Sequence, residues 1–386
     1  MKIDTQLIHE GEPKPRIDGA VSMPIFQTAM YEDGEDELRY IRYNNTPNHQ
    51  VLNRKLAALE GADAALVTGS GMAAISTALL TVLTPGDHLL AQSGLYGGTH
   101  GFVTRVLPEL GVSVDFIDAN DPDTWMALVR PTTRAVYVES ISNPLMDVGD
   151  LEAITAFAKA HGLVSLIDNT FTTPVNFRPT EWGFDLSLHS ATKYLNGHSD
   201  IVAGVIIGRA NLVEKCGKKL KFFGGSLDPH ACFLLHRGMK TLALRVRYQN
   251  ESASRIAQVL EAHPLVEKVN YPGLATHAQH ALARRFFDGF GGMLSLGVQG
   301  GQEGAERFMQ KLTLPILAPS LGGVESLATR PAATSHVDLT PEERQRLGVT
   351  DSLIRVSIGI EATDDLIADF EQALAALEHV VLSQER

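Results

Sequence analysis

Cysteine is nearly missing from this chain of 386 residues, which contains only Cys216 and Cys232. Their separation is not that of a metal-ligand pair, and two cysteines cannot build a disulfide framework. A reducing compartment is therefore expected, and no metal site. Long hydrophobic runs are also lacking. No uninterrupted apolar stretch could span a bilayer, so no membrane partner is expected. The opening Met1-Lys2-Ile3-Asp4-Thr5 carries charge where an export signal would need an apolar run. The expected location is the cytoplasm. Positive charge is the minority sign: 33 Lys and Arg stand against 45 Asp and Glu, a net charge of -12. A phosphate backbone is captured by Lys and Arg, and no basic run offsets this balance, so no nucleic-acid partner is expected. There is no internal repeat and no low-complexity tract.

What remains is ordinary for a globular chain, with 44% hydrophobic and 20% charged residues. The length suits two packed domains rather than one small core. Residues 1–45 are polar with no sustained periodicity and read as an arm. From 46 to 244 short apolar runs alternate with helical stretches. Strands are expected at Ala64 to Val67, His88 to Gln92, Val112 to Ile117, Ala135 to Glu139, Leu163 to Asp168, Asp185 to His189 and Ile201 to Ile207. Helices are expected at Asn53 to Leu59, Ala73 to Leu83 and Leu151 to Ala160. Strands apolar on both faces and separated by helices argue for a mostly parallel sheet covered on both sides. Ligands of such sheets sit beyond the strand C-termini. One long helix is expected from Leu234 to Leu260. Residues 245–386 read as a smaller α+β domain, with strands at Met293 to Val298 and Ile354 to Ile358 and helices at Gly304 to Leu312 and Thr363 to Leu377.

The most informative segment is Asp185-Leu-Ser-Leu-His-Ser190-Ala-Thr192-Lys193-Tyr-Leu-Asn-Gly197-His198-Ser199. Here a lysine lies just past a buried strand, among small hydroxyl residues. Burying lysine is costly unless it is paired or used covalently. A Schiff base to a carbonyl group would remove that cost and supply covalent catalysis; a lysine reaching from the strand end into solvent is the competing reading. Asp168 ends another buried strand, as a site carboxylate or as a turn acid. Thr68-Gly69-Ser70-Gly71-Met72 leads from a strand into a helix, where N–H groups bind phosphate well. Tyr96 and Asn143 also follow strands, Asn143 before Pro144 in what would otherwise be turn chemistry. Arg355 lies inside an apolar strand, where a guanidinium needs an anion: a bound carboxylate or an internal salt bridge.

The segment around Lys193 resembles the lysine-attachment signature of the Cys/Met-metabolism pyridoxal-phosphate (PLP) family, which includes cystathionine γ-synthase, cystathionine lyases and methionine γ-lyase. The resemblance runs from about Thr5 to Leu377. It implies an α/β protein of PLP fold type I, aspartate-aminotransferase-like, with a mostly parallel central sheet, a smaller C-terminal α+β domain and an N-terminal arm. On it, Lys193 holds PLP covalently, Asp168 keeps the ring nitrogen protonated, and Tyr96 stacks on the ring. Gly71, Met72, Ser190 and Thr192 hold the phosphate. Tyr40 and Arg42 reach the phosphate of the neighbouring subunit, which implies a homotetramer built as a dimer of dimers. Asn143, Ser320 and Arg355 bind the substrate, Arg355 through its α-carboxylate. Tyr96 also assists the leaving group.

The expected reaction is α,β- or α,γ-elimination from a sulfur-containing or related amino acid, giving a 2-oxo acid and ammonia. The chain departs from the family pattern where substrate specificity is set. Arg39 stands where many members carry an acid. Gly101 replaces an arginine of the γ-synthases, Pro319 a glutamate, and Gly98 the cysteine of methionine γ-lyases. After Arg42 the chain runs Tyr43-Asn44-Asn45-Thr46-Pro47 rather than Asn-Pro-Thr. These departures keep two alternatives open: γ-elimination from a non-sulfur amino acid such as canavanine, and γ-replacement on an O-acyl-homoserine.

Overall fold

The computed structural model describes residues 1–32, 38–334, 337, 340, 342, 344 and 347–377. Residues 33–37 of the expected arm and 378–386 of the expected C-terminal domain lie outside the described residues. The chain divides into two compact units. The first comprises Met1–Gln92, Thr99–Ser140 and Asp150–Ala243; the second comprises Ser93–Gly98, Ile141–Gly149 and the chain from Leu244 onward.

In the first unit, β1 (Ala64–Thr68), β2 (His88–Gln92), β3 (Ser113–Ile117), β4 (Thr133–Glu139), β5 (Val164–Asp168), β6 (Leu186–His189) and β7 (Gly204–Gly208) form one sheet. Its order is β1-β7-β6-β5-β4-β2-β3. β7 runs antiparallel to both its neighbours, β1 and β6; β2 to β6 pair in parallel. Leu166, Ile167, Leu186, Leu188, Val136 and Val138 are fully buried, as central parallel strands require. Register aligns Asp168 with Glu139 on one side and Leu188 on the other. The carboxylate of β5 and the exit of β6 toward Lys193 thus emerge at the same sheet edge.

Three expectations about elements need correction. The arm contains a helix, Ile3–His9, whose buried Ile3 and Leu7 make a single turn of apolar spacing, too short to register as periodicity. Lys55 anchors it by donating from Nζ to Leu7 O at 2.7 Å. The long helix is two, Pro229–Met239 and Leu242–Glu261. Thr241 Oγ1 donates to Gly238 O at 3.2 Å and helps close the final turn of the first. Gly238 cannot carry a side chain, because a Cβ there would lie 2.3 Å from Asn196 O. The last strand of the first sheet begins at Gly204 rather than Ile201.

In the second unit, β8 (Val266–Asn270), β9 (Met293–Val298), β10 (Ile316–Leu317), β11 (Leu327–Thr329) and β12 (Leu353–Ser357) form a sheet of order β10-β11-β12-β9-β8. Helices Gly301–Lys311 and Thr363–Ala375 contribute Phe308 and Phe370 to its core, where the two rings stack with centroids 6.2 Å apart. Phe308→Ala opens a cavity in that fully buried cluster. It should cost about 3–5 kcal/mol, read as a lower urea midpoint for the unfolding of this unit.

Candidate active site

The first unit supplies one cluster of polar groups. Thr68 ends β1, and Ser70 caps helix Gly71–Val82, its Oγ accepting from Ala73 N–H at 3.0 Å. The first N–H groups of that helix, those of Gly71 and Met72, lack helical acceptors by geometry and suit an anion. Ser190, the first residue after β6, packs directly on this helix start. A Cβ on Gly71 would stand 2.7 Å from Ser190 Cβ and 2.9 Å from its Oγ, so only glycine allows the approach. Thr192 Oγ1 engages the Ala203 main chain, donating to its O at 3.2 Å and accepting from its N–H at 3.0 Å. Lys193 follows in the same turn; its N–H donates to Ser190 O at 3.1 Å and its O accepts from Gly197 N–H at 2.7 Å.

Asp168 is fixed from its own strand end. Its Oδ1 accepts from the Thr170 N–H at 2.9 Å and from the Thr170 hydroxyl. Thr170 Oγ1 in turn accepts from Ser190 N–H at 2.8 Å, so one threonine ties the aspartate to the lysine turn. Burial raises the Asp168 carboxyl above the usual carboxylate range, opposed by the two Thr170 hydrogen bonds and by His189. A partly buried acid, an amine three residues past the Ser190 hydroxyl, and a glycine helix start against that hydroxyl fit a ring nitrogen, an aldehyde and a phosphate. Tyr40 and Arg42 lie on a separate turn, where Arg42 donates to Lys221 O at 2.7 Å and lies 5.5 Å from the Tyr40 ring centroid.

The second unit holds the other cluster. Arg355 occupies the middle of β12, between Ser295 of β9 and Thr329 of β11, and is only 5% exposed. Its guanidinium donates to Asn143 Oδ1 at 3.1 Å and to Ser320 O at 3.0 Å. The structure thus brings together three predicted residues far apart in sequence. Ser320 sits at φ 94, a conformation costly for a side chain and concentrated at binding sites. Its loop is held by residues the sequence did not single out. Gly322 N–H donates to Ser357 Oγ at 2.8 Å, and Gln249 Nε2 donates to Gly323 O at 2.9 Å. Ser357 lies two positions from Arg355 on one strand, and that same-face spacing was a readable signal. Gln249, on a distant helix, offered none. Tyr96 belongs to this unit and is 42% exposed.

Among the described residues, no group of three or more His, Cys, Asp or Glu could hold a metal ion, and no helix is long and apolar enough to cross a membrane. Both thiols are buried, and burial pushes Cys216 up to about 11.

An open, mostly parallel sheet with a lysine and an acid at adjacent strand ends, accompanied by a second smaller sheet, is the architecture of fold type I PLP enzymes. The model of the Cys/Met metabolism PLP-dependent enzyme family matches residues 4–375. The chain belongs to that family and is a PLP-dependent enzyme. It is 40% identical over 377 residues to cystathionine beta-lyase of Lactococcus lactis subsp. lactis, covering 96% of this chain and 98% of that protein. It is 40% identical over 385 residues to L-methionine gamma-lyase of Pseudomonas putida, covering 96% and 97%. The crystal structure of cystathionine gamma-lyase from Lactobacillus plantarum complexed with L-serine superposes with a TM-score of 0.94 at 37% identity, covering 98% of this chain and 100% of that one.

Proposed function

We propose that the protein is a PLP-dependent lyase that takes a sulfur-containing amino acid, or a close relative of one, through α,β- or α,γ-elimination to a 2-oxo acid and ammonia. The observation that carries this reading is the joint placement of Asp168 and the Lys193 turn at the ends of β5 and β6, with Ser190 against the Gly71 helix start. Bound PLP supplies an electron-withdrawing ring that stabilises negative charge at the substrate α-carbon. Lys193 would hold the cofactor aldehyde, and its amine, when free, would take the substrate α-proton. Asp168 keeps a proton on the ring nitrogen. The Gly71 and Met72 N–H groups, with Ser190 and Thr192, anchor the phosphate, and Tyr96 stacks on the ring and assists the leaving group.

Arg355 binds the substrate α-carboxylate, with Asn143 and Ser320 orienting its guanidinium. Arg355→Leu removes two charge-assisted hydrogen bonds, each worth about 1.5–3 kcal/mol. The expected result is a rise in KM of about 100-fold or more, with the visible band of the loaded protein retained. An unchanged KM would remove Arg355 from this role.

The reading extends to an arm of residues 1–45, a PLP-binding domain of 46–244 and a small domain of 245–386, assembled in the cytoplasm as a dimer of dimers. The exposure of Arg42, on the turn that also bears the half-buried Tyr40, supports a contribution to the neighbouring subunit's phosphate site. The test of function is a panel of cysteine, cystathionine, methionine, O-acyl-homoserine and canavanine, read by release of 2-oxo acid. Release from a sulfur amino acid supports elimination. A thiol-dependent product formed without 2-oxo acid would replace elimination with γ-replacement, a reading favoured by 40% identity to the cystathionine gamma-synthase 1 of Arabidopsis thaliana.

A further inference from the structure

Within the second unit, β12 and the chain leaving it are joined step by step to the loop that begins at Ser320. Arg355 Nη2 donates to Ser320 O at 3.0 Å, and Gly322 N–H donates to Ser357 Oγ at 2.8 Å. Ile360 N–H donates to Val324 O at 2.8 Å. The last clamp is Glu361. Its Oε1 accepts from Ser326 N–H at 2.7 Å, and its Oε2 accepts from the Ser326 hydroxyl at 2.8 Å. Ser326 is fully buried, and its Oγ also accepts from Gly359 N–H at 2.8 Å. Gly359 has no room for a side chain, because a Cβ there would lie 2.3 Å from Val324 O and 2.5 Å from Glu361 Oε2. Glu361 is tied in turn to helix Leu242–Glu261, from which Tyr248 Oη donates to Glu361 O at 2.9 Å. Leu327, next to Ser326, opens β11 opposite Ser357. One glutamate thus closes the loop at the point where it becomes sheet.

We propose that Glu361 is a positioning residue: by clamping Ser326 it holds the Ser320 loop in its strained form, and through Ser320 O it sets the plane of the Arg355 guanidinium that receives the substrate α-carboxylate. Glu361 itself touches neither cofactor nor substrate. The inference rests on the carboxylate-binding role given to Arg355 above. Strain supplies the physical need. Ser320 stands at φ 94 and Gly322 at φ 73. A residue with a side chain keeps such a conformation only when its surroundings over-determine it. Released at Ser326, the loop can relax and carry Ser320 O away from Arg355. A guanidinium is a rigid planar fork, and its fit to a carboxylate depends on its orientation. The bonds to Asn143 Oδ1 and Ser320 O help fix that plane. With Ser320 O displaced, the fork loses one of them. The effect falls on recognition of the carboxylate rather than on the proton transfer assigned to Lys193.

The test uses the full chain loaded with PLP and two probes that differ in the carboxylate: L-alanine, which has no leaving group, and ethylamine. Each is titrated against the visible band of the bound cofactor. The ratio of the two dissociation constants, compared between variants, reports recognition of the carboxylate. Arg355→Leu should lower the preference for L-alanine by about 100-fold or more. Glu361→Ala should lower it at least about tenfold, with ethylamine binding unchanged. Glu361→Gln keeps an oxygen for Ser326 N–H and should stay within about threefold of wild type. In the Arg355→Leu background, Glu361→Ala should cause no further loss, because both act through one contact. A glutamate that only supported the fold would lower thermal stability without moving the ratio. Should Glu361→Ala not fold, Ser326→Ala removes only the hydroxyl contacts and should lower the preference by about threefold or more. A wild-type ratio in folded Glu361→Ala or Ser326→Ala, or an equal further loss in the Arg355→Leu background, would overturn the proposal. An Arg355→Leu that kept the wild-type ratio would instead sink the role of Arg355, and a wild type without the visible band would sink the functional reading.

Discussion

Lys193→Ala should abolish turnover, with kcat reduced by about 10,000-fold or more, and should remove the visible band that depends on covalent attachment. Several functions meet in this one amine. On the proposed reading it would secure the aldehyde carbon and, when free, move the substrate α-proton. Losing a covalent group and a proton-transfer group together removes more than either alone, and such losses do not add. The fold should survive, because the turn is held by main-chain bonds from Lys193 N–H to Ser190 O and from Gly197 N–H to Lys193 O. Absorption spectra, thermal unfolding and single-turnover product formation are the measurements. A folded variant with steady-state activity near wild type would contradict the account.

Asp168→Asn should reduce kcat by about 100- to 1,000-fold while leaving the cofactor attached. The substitution preserves size, and the amide oxygen can still accept from Thr170. On the proposed reading it would lose the negative charge that faces the ring nitrogen, and removing one preorganised electrostatic contact at a developing charge has effects of this size. Burial raises this carboxyl. A pyridinium facing it would act in the opposite direction, since an opposite charge nearby lowers a carboxyl by about one to three units. Acid and ring nitrogen therefore stabilise each other's charged forms. Titration of bound cofactor against kcat separates the two effects: full occupancy with low kcat is expected, and loss of occupancy with unaltered kcat per bound site would argue for an anchor instead.

The central sheet was legible because its chemistry is one-dimensional. Parallel strands buried on both faces appear as short apolar runs, and β2 begins and ends where the run His88 to Gln92 does. Arg355 was legible for the converse reason, a guanidinium interrupting such a run. The small sheet was readable only in its central strands. β10 is two exposed residues and β11 three buried ones, too short for an alternation to show. The break between Met239 and Leu242 was hidden, because a helix end closed by a threonine hydroxyl involves no proline and no change of apolar spacing. The support of the site was the least visible part. Glu361 and Ser326 stand 35 residues apart, and a glutamate in the loop before a helix looks like any other. Gln249 is in the same position, since nothing local marks a buried amide that donates to Gly323 and Ile358. Residues that touch the cofactor obey a pattern that the cofactor imposes; those that support them answer only to the fold.

The most direct test of the account is borohydride reduction of the PLP-loaded protein, followed by proteolysis and mass mapping of the lysines. The account predicts one reduced pyridoxyl phosphate per chain, on the peptide bearing Lys193. An adduct on another lysine, such as the buried Lys55, or no adduct in a protein saturated with cofactor, would contradict it.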